Sequence, residues 1–272
     1  MDIKAKINNQ EFIPDPLKDQ FFLTDEKIVG DLVSFGVVNK NDTVLEIGAG
    51  FGNLTKEISK YAKKVIAYEI DKRFKPYLKI LPSNVEVRYE DAWQYVQLNG
   101  KFKKKKQFNK IISNLPYSFC EKLLHNLTFL DYDKVVILVP LKFVNTIKEN
   151  AIFSSFFECK LIEIVNKNSF FPVPKTNSAL IDLIKLTDPI LEKNLPLFLR
   201  QYVYQHEEAK VKNSLREGII TFYKIVDNRV VTKNEAKKII SESGLGNELL
   251  DQSPNNFDIY NQISIKFTSD II

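Results

Sequence analysis

Short apolar segments alternate with segments of helical spacing along the first half of the chain. Each apolar segment has a length typical of a strand, and its nearly continuous apolar character indicates burial on both faces of a sheet. This alternation predicts an α/β fold, with a doubly wound, Rossmann-like sheet covered by helices on both faces. The predicted strands are Thr43–Ile47, Val65–Ile70, Val85–Tyr89, Phe108–Ser113 and Val135–Val139. The predicted helices between them are Asp25–Phe35, Leu54–Tyr61, Phe74–Leu81 and Glu121–Leu130.

The pattern changes after Asp188-Pro189, where only helix-like spacing remains. We therefore predict a first domain at 1–187, which includes an extended, polar N-terminal arm at 1–19, and a small all-helical domain at 188–272. Two further β-like segments, Lys160–Val165 and Ser178–Leu186, are expected to pair at the edge of the sheet. The helices predicted in the second domain are Leu195–Gln205, Val211–Tyr223, Lys233–Ser243 and Pro254–Ile265, the last with Ser253 as its N-cap and Pro254 at its first position.

The composition excludes several classes of protein. Hydrophobic residues make up 44% of the 272 residues, which is too many for a disordered chain. No apolar run is long enough to span a membrane, and the N-terminus lacks the apolar core of a signal peptide. Cys120 and Cys159 are too few for a disulfide framework or a metal cluster. We expect a soluble, cytoplasmic protein that binds neither metal nor membrane.

The charge is distributed unevenly along the chain. Residues 1–185 carry 28 basic and 22 acidic side chains, whereas residues 186–272 carry 11 and 12. A surface that binds a polyanion is therefore expected mainly on the first part. The lysine-rich run at 101–106 is either a solvated loop or an arm that contacts phosphates near the site.

A glycine-rich loop, Glu46–Gly52 (EIGAGFG), follows the first predicted strand and precedes a helix. Its glycines permit a tight turn and a close approach of the backbone to a nucleotide-like ligand. Nicotinamide-binding folds use a similar loop, but their usual spacing is G-x-G-x-x-G. Here Gly48, Gly50 and Gly52 follow a G-x-G-x-G pattern, which suits a pyrophosphate less well. Glu46 stands where a carboxylate would favour a cationic or amino group.

Acidic residues also follow the next two predicted strands. Glu69 is placed to accept hydrogen bonds from ribose hydroxyls, and Asp91 to accept one from an adenine amine. Three carboxylates around one glycine loop fit the methionine end, ribose and adenine of S-adenosylmethionine. The neighbouring Ile70 and Ala92 are expected to contact the same cofactor.

Asn114-Leu115-Pro116-Tyr117 ends the fourth predicted strand. An aromatic amine is a poor nucleophile because its lone pair is conjugated with the ring. The Asn114 side-chain oxygen and the Leu115 carbonyl are two acceptors that can draw on the amine hydrogens and localise the lone pair. Pro116 fixes the turn, and Tyr117 offers a face on which a flipped-out base can stack. The motif predicts methyl transfer to an exocyclic amine, with positioning supplying most of the rate.

With these motifs in this order, the chain resembles the ribosomal RNA adenine N6-dimethyltransferases, most closely their archaeal and eukaryotic branch. Gln20-Phe21-Phe22-Leu23 is similar to the N-terminal cofactor motif of the family, which adds Gln20, Phe21, Leu23 and Asn114 to the expected cofactor contacts. Ser169–Ala179 (SFFPVPKTNSA) resembles a segment of this family that general methyltransferases lack, and by its position Phe170 would pack on the target adenine.

The resemblance implies a Rossmann-like methyltransferase sheet followed by a helical domain that helps to bind RNA. It implies dimethylation of two adjacent adenines near the 3′ end of small-subunit ribosomal RNA. The expected partner is that RNA or a precursor of the small ribosomal subunit, and the protein is expected to be monomeric.

Two departures from the family pattern leave alternatives open. Phe21 stands where relatives carry Asn or His, and Glu207-Glu208 stands where basic residues are usual. One alternative is a non-catalytic ribosome-assembly or RNA-binding factor on the same fold. Another is a DNA adenine or protein amide methyltransferase, which uses a similar catalytic motif but lacks the segment around Phe170.

Overall fold

The computed structural model describes residues 3–100 and 107–267; the lysine run at 101–106 lies outside them. The strands are β1 (Phe22–Leu23), β2 (Thr43–Ile47), β3 (Lys64–Tyr68), β4 (Val85–Arg88), β5 (Lys110–Asn114), β6 (Lys134–Pro140), β7 (Phe157–Val165), β8 (Phe170–Phe171) and β9 (Ser178–Lys185). The helices are α1 (Ile3–Asn8), α2 (Glu26–Phe35), α3 (Asn53–Tyr61), α4 (Lys75–Leu78), α5 (Ala92–Gly100), α6 (Cys120–Leu127), α7 (Leu141–Glu149), α8 (Leu195–Gln205), α9 (Val211–Val226), α10 (Lys233–Glu242), α11 (Asn247–Leu250) and α12 (Asp258–Lys266).

A large sheet organises the first part of the chain. Among the described residues it has seven strands in the order β4-β3-β2-β5-β6-β9-β7. The five strands from β4 to β6 run parallel, and β9 runs antiparallel to β6. This confirms the predicted α/β fold and the neighbouring positions of the two edge segments. Because parallel strands point the same way, the residues that follow β2, β3, β4 and β5 meet at one edge, which is where ligands bind in such sheets.

The N-terminal arm is not extended, contrary to the prediction. It contains α1 and a 3-10 turn at Pro16–Lys18, and Ile3 and Phe12 are buried. Phe12 packs against the rings of Phe22, Phe51 and Phe74, with centroid distances of 4.7–5.8 Å. Burial of these apolar side chains outweighs the polar character of the segment.

The chain divides into two compact units. One comprises residues up to Thr146 together with Cys159–Ile184, and the other comprises Ile147–Glu158 together with residues from Lys185 onward. The structure groups Ile147–Glu158 with the residues from Lys185 onward, so this division differs from a single boundary after residue 187. The boundary at 187 and the RNA-binding role of the helical domain stay predictions.

The last helix begins later than its sequence signal indicated. The prediction of Ser253 as N-cap and Pro254 as first helical residue is wrong, because α12 begins at Asp258. Pro254 lies in a turn, and its carbonyl accepts a hydrogen bond of 2.9 Å from the buried Tyr260 hydroxyl. None of the helices within the described ranges is long and apolar enough to cross a membrane.

Candidate active site

A cleft of about 300 Å³ opens at the carboxyl edge of the parallel strands. Most of the predicted site residues line it. Of the predicted catalytic set these are Asn114, Leu115, Pro116, Tyr117 and Phe170. Of the predicted cofactor set these are Gln20, Phe21, Gly48, Gly50, Glu69, Ile70, Asp91, Ala92 and Asn114.

The glycine loop forms one wall of the cleft. Gly48 and Gly50 have φ angles of 82° and 53°, a left-handed conformation that disfavours side chains. A Cβ atom on Gly48 would lie 3.0 Å from Cγ of Pro116. The loop therefore packs directly against Asn114–Tyr117, which we call the predicted catalytic turn. Here glycine is required both by the backbone conformation and by the close approach.

Glu69 holds the glycine loop and the end of β3 in place. Its two carboxylate oxygens accept hydrogen bonds of 2.8 Å from the main-chain N–H groups of Gly50 and Asp71. Burial raises the pKa of the Glu69 carboxyl, and these two hydrogen bonds partly offset that effect. A carboxylate oxygen can accept more than one hydrogen bond, so this arrangement leaves room for ribose hydroxyls.

Glu46 and Leu23 do not line the main cleft. They line a small adjoining cavity of about 40 Å³, whose walls also include Gly48, Gly50 and Asn114. Glu46 is 1% exposed, and its Oε2 atom has no hydrogen-bond partner. Burial and, to a smaller extent, the nearby Glu69 raise the pKa of Glu46 to about 8, while the Thr55 side chain partly offsets the rise. An unpartnered buried carboxyl of this kind fits a cationic group of a ligand.

Asp91 directly precedes α5, a helix that sequence analysis did not predict. Its Oδ1 atom accepts a hydrogen bond of 2.9 Å from the Trp93 N–H at the start of α5. Its position on the cleft wall leaves the other carboxylate oxygen for a ligand. At the same wall, the Lys122 ammonium lies 5.7 Å from the centre of the Trp93 ring.

The Asn114–Tyr117 turn is fixed by contacts with distant segments. The Leu115 N–H donates to the Leu138 carbonyl at 3.1 Å, which ties the turn to β6. Asn114 Nδ2 donates to the Phe21 carbonyl at 3.4 Å. With Nδ2 on this side, Oδ1 is the amide atom left to accept a hydrogen bond from an amine. The Tyr117 hydroxyl lies 3.4 Å from the Ser178 hydroxyl.

Sequence comparison assigns this arrangement to a family. The family model for ribosomal RNA adenine dimethylase matches residues 18–262. The chain belongs to this family. The match covers the cleft lining except Leu17, the turn Asn114–Tyr117, and the described helices from α2 to the middle of α12.

Relatives of the ribosomal RNA adenine dimethylase family span most of the chain. A probable ribosomal RNA small subunit methyltransferase A from Methanococcus aeolicus is 32% identical over 213 residues, which are 72% of this chain and 76% of the relative. A Pyrococcus furiosus protein of the same description is 30% identical over 228 residues, or 78% and 79% of the two chains. These archaeal relatives agree with the predicted branch. A bacterial relative from Mycoplasmopsis synoviae is 34% identical over 198 residues, or 68% and 74%.

Solved structures show the same fold. A dimethyladenosine transferase from Plasmodium falciparum has a TM-score of 0.57 and 19% identity, covering 90% of this chain and 97% of that one. The 23S rRNA methyltransferase ErmE has a TM-score of 0.54 and 19% identity, covering 90% and 98%. These structures support the Rossmann-like architecture predicted for the family.

Phe170 is more buried than its predicted role requires. It is 2% exposed and pairs with Leu23 across the small antiparallel sheet of β1 and β8. It lines the cleft from this buried position. Packing on a target adenine therefore stays a prediction for Phe170 in this member of the family.

Gln20 lines the cleft, and its side-chain amide also holds the N-terminal segment. Its Oε1 atom accepts from the Asp15 N–H at 2.7 Å and from Arg73 at 3.2 Å, and its Nε2 atom donates to Asp71 at 2.9 Å. The Arg73 guanidinium beside Asp71 holds the pKa of that carboxyl well below its usual range. Sequence analysis missed Asp71 and Arg73, since a partner 51 or more residues away leaves no local signal.

Cys120 follows the predicted catalytic turn but does not fit a nucleophile. Burial raises the pKa of its thiol to about 12. The described residues contain no group of three or more His, Cys, Asp or Glu side chains able to hold a metal ion.

Proposed function

We propose that this chain transfers methyl groups from S-adenosylmethionine to N6 of adenine in ribosomal RNA. One observation carries the proposal. Asn114 lines the cleft with its amide nitrogen bonded to the Phe21 carbonyl, and its turn packs against the glycine loop. This arrangement brings the amine acceptor and the cofactor loop together, as methyl transfer requires.

The charge of the cleft supports the choice of cofactor. Its lining includes the acidic residues Asp19, Glu69, Glu90 and Asp91 but only Lys18 and Lys122 as basic residues. An acidic cleft favours a ligand with positive charge and disfavours the pyrophosphate of a dinucleotide. When bound, S-adenosylmethionine supplies a methyl group on a cationic sulphur and an amino-acid ammonium.

The residues of the catalytic turn would position and activate the target amine. Asn114 Oδ1 accepts one amine hydrogen, and the Leu115 carbonyl accepts the second, so that the lone pair turns toward the methyl group. Tyr117 lies half-buried on the cleft wall, where its ring supports the base. Such positioning and hydrogen bonding are expected to supply most of the acceleration.

The substrate that family membership favours is a pair of adjacent adenines near the 3′ end of small-subunit ribosomal RNA. Dimethylation requires that the monomethyl product re-enter the cleft with its remaining N–H toward an acceptor. Residues 1–185 carry more basic than acidic side chains, which supports RNA contact mainly through this first part of the chain.

A comparison of substrates tests the proposal. The protein is incubated with methyl-labelled S-adenosylmethionine and with small ribosomal subunits that lack the adenine mark, large subunits, duplex DNA or a protein mixture. We expect label in small-subunit RNA alone. Label mainly in duplex DNA or protein would contradict the assignment of substrate, and cofactor binding without any label would favour the non-catalytic alternative.

The buried Glu46 carboxyl leads to a prediction about how cofactor binding depends on pH. Its folded pKa of about 8 lies above the ordinary 4.5, so the free protein holds it protonated at neutral pH. A cofactor ammonium would favour the ionised carboxylate, so binding would release a proton. Affinity for S-adenosylhomocysteine should then rise by at most about tenfold per pH unit up to about pH 8. Above that pH it should level off. Titration calorimetry measures this between pH 6 and 9, and a pH-independent affinity in wild type would contradict the role.

The variant Glu46→Gln provides the control for the pH experiment. It removes the titrating proton while keeping the size of the side chain. We expect weaker binding of S-adenosylhomocysteine at pH 8 and little change with pH. A Glu46→Gln protein that keeps the wild-type pH slope would assign the proton to another group.

A further inference from the structure

Three contacts join the segment Asp19–Phe21 to the catalytic turn. The Asp19 carboxylate accepts a hydrogen bond of 2.8 Å from the Ser118 N–H. The Phe21 carbonyl accepts the bond from Asn114 Nδ2, and the Phe21 ring stacks on Tyr117 with a centroid distance of 6.0 Å and an angle of 27°. Each contact bridges more than ninety residues of sequence.

We propose that Asp19 and Phe21 are positioning residues that set the geometry of the catalytic turn; this inference rests on the proposed function. Asp19 fixes the start of the 3-10 turn Tyr117–Phe119. The Phe21 carbonyl sets which way the Asn114 amide faces. The Phe21 ring covers Tyr117 from one side and so limits the orientations of its ring.

Tyr117 needs such support because its polar end is held weakly. The Tyr117 and Ser178 hydroxyls lie 3.4 Å apart, which is long for a hydrogen bond between hydroxyl groups. Stacked aromatic rings add stabilisation beyond simple burial. Phe21 can supply this contact, whereas the Asn or His usual at its position offers less apolar area or a polar edge. Phe21, which departs from the family pattern, would thus position Tyr117, and its presence does not indicate loss of activity.

The segment is itself anchored to residues that follow β3 and to the N-terminal arm. Gln20 donates to Asp71, and Arg73 donates to the Ile13 carbonyl at 2.9 Å. Asp19 adopts a left-handed conformation with φ of 52°, a strain tolerated where surrounding contacts fix the backbone. Asp71 and Arg73, which follow β3, therefore support the segment that orients the residues following β5.

The test uses Phe21→Leu, Phe21→Tyr and Asp19→Ala with small ribosomal subunits as methyl acceptors. We expect kcat to fall by about tenfold to a hundredfold in Phe21→Leu and Asp19→Ala, since small misplacements of reacting groups are costly. The fall in kcat should exceed any rise in the Kd for S-adenosylhomocysteine or in the KM for the subunit, because neither residue supplies an acceptor for the target amine. Phe21→Tyr should restore most of kcat, since it keeps the stacked ring. The controls are Phe35→Leu and Asp188→Ala, both at exposed positions outside the cleft lining.

Hydrogen exchange provides a readout that does not depend on activity. The peptide covering residues 114–119 should exchange about tenfold faster in Asp19→Ala, because the Ser118 N–H loses its acceptor. Unchanged exchange together with unchanged kcat would overturn the inference. So would a loss confined to KM or to cofactor affinity, which would make these residues ligand contacts. If the wild-type protein methylates nothing, the proposed function fails, while the exchange data still decide whether the segment orders the turn.

Discussion

Asn114→Ala should lower kcat for methyl transfer by about a thousandfold, as expected for loss of a preorganised hydrogen-bonding group in an active site. The alanine side chain cannot accept a hydrogen from the target amine, so the lone pair stays conjugated with the ring. The same change removes the bond to the Phe21 carbonyl, so the turn also loses a constraint. Affinity for S-adenosylhomocysteine should stay within about fivefold, because the glycine loop and Glu69 are untouched. Steady-state kinetics and titration calorimetry measure the two effects separately.

Two further variants sharpen the Asn114 experiment. Asn114→Asp keeps the acceptors but cannot donate to the Phe21 carbonyl, so kcat should fall by an intermediate factor of about ten to a hundred. Asn41→Ala changes an exposed asparagine outside the cleft lining and should leave kcat unchanged. An Asn114→Ala protein with wild-type turnover would contradict the assigned role of the amide.

Gly48→Ala should weaken cofactor binding by at least about tenfold and lower the free energy of unfolding by about 1–3 kcal/mol. The φ angle of 82° is unfavourable for alanine, and the new methyl group would lie 3.0 Å from the Pro116 side chain. Relief of this contact would push the glycine loop and the catalytic turn apart. Both walls of the cleft would move, so kcat should also fall. Chemical denaturation and calorimetry check the stability and the binding.

Gly30→Ala is the matched control for the Gly48 experiment. Gly30 lies within α2, and a Cβ atom there meets nothing within 4 Å. Alanine favours a helix over glycine, so this variant should gain up to about 1 kcal/mol of stability and bind the cofactor normally. If Gly48→Ala behaved like Gly30→Ala, the loop would not be constrained as described here.

The parts of the fold that repeat a local pattern were predictable from sequence. The strand Thr43–Ile47 and the helix Leu195–Gln205 occur where their apolar spacing places them. The order of a parallel sheet brings residues after successive strands to one edge, which is why Gly48, Glu69 and Asn114 were predicted together.

The parts that depend on tertiary contacts were not predictable. The two-residue strands β1 and β8 are too short to show any periodicity. The Asp19–Ser118 hydrogen bond and the Tyr117–Ser178 contact join residues that no local pattern links. The sequence signal at Ser253-Pro254 resembles a helix start, but Pro254 lies in a turn and the helix begins four residues beyond it.

The product formed on ribosomal RNA tests the account most directly. Small ribosomal subunits that lack the adenine mark are incubated with the protein and S-adenosylmethionine, and the digested RNA is analysed by mass spectrometry. The account predicts N6,N6-dimethyladenosine at an adjacent pair of adenines in small-subunit RNA with the wild-type protein, formed about a thousandfold more slowly with Asn114→Ala. Absence of methylated adenosine, despite demonstrated cofactor binding by the wild-type protein, would contradict it.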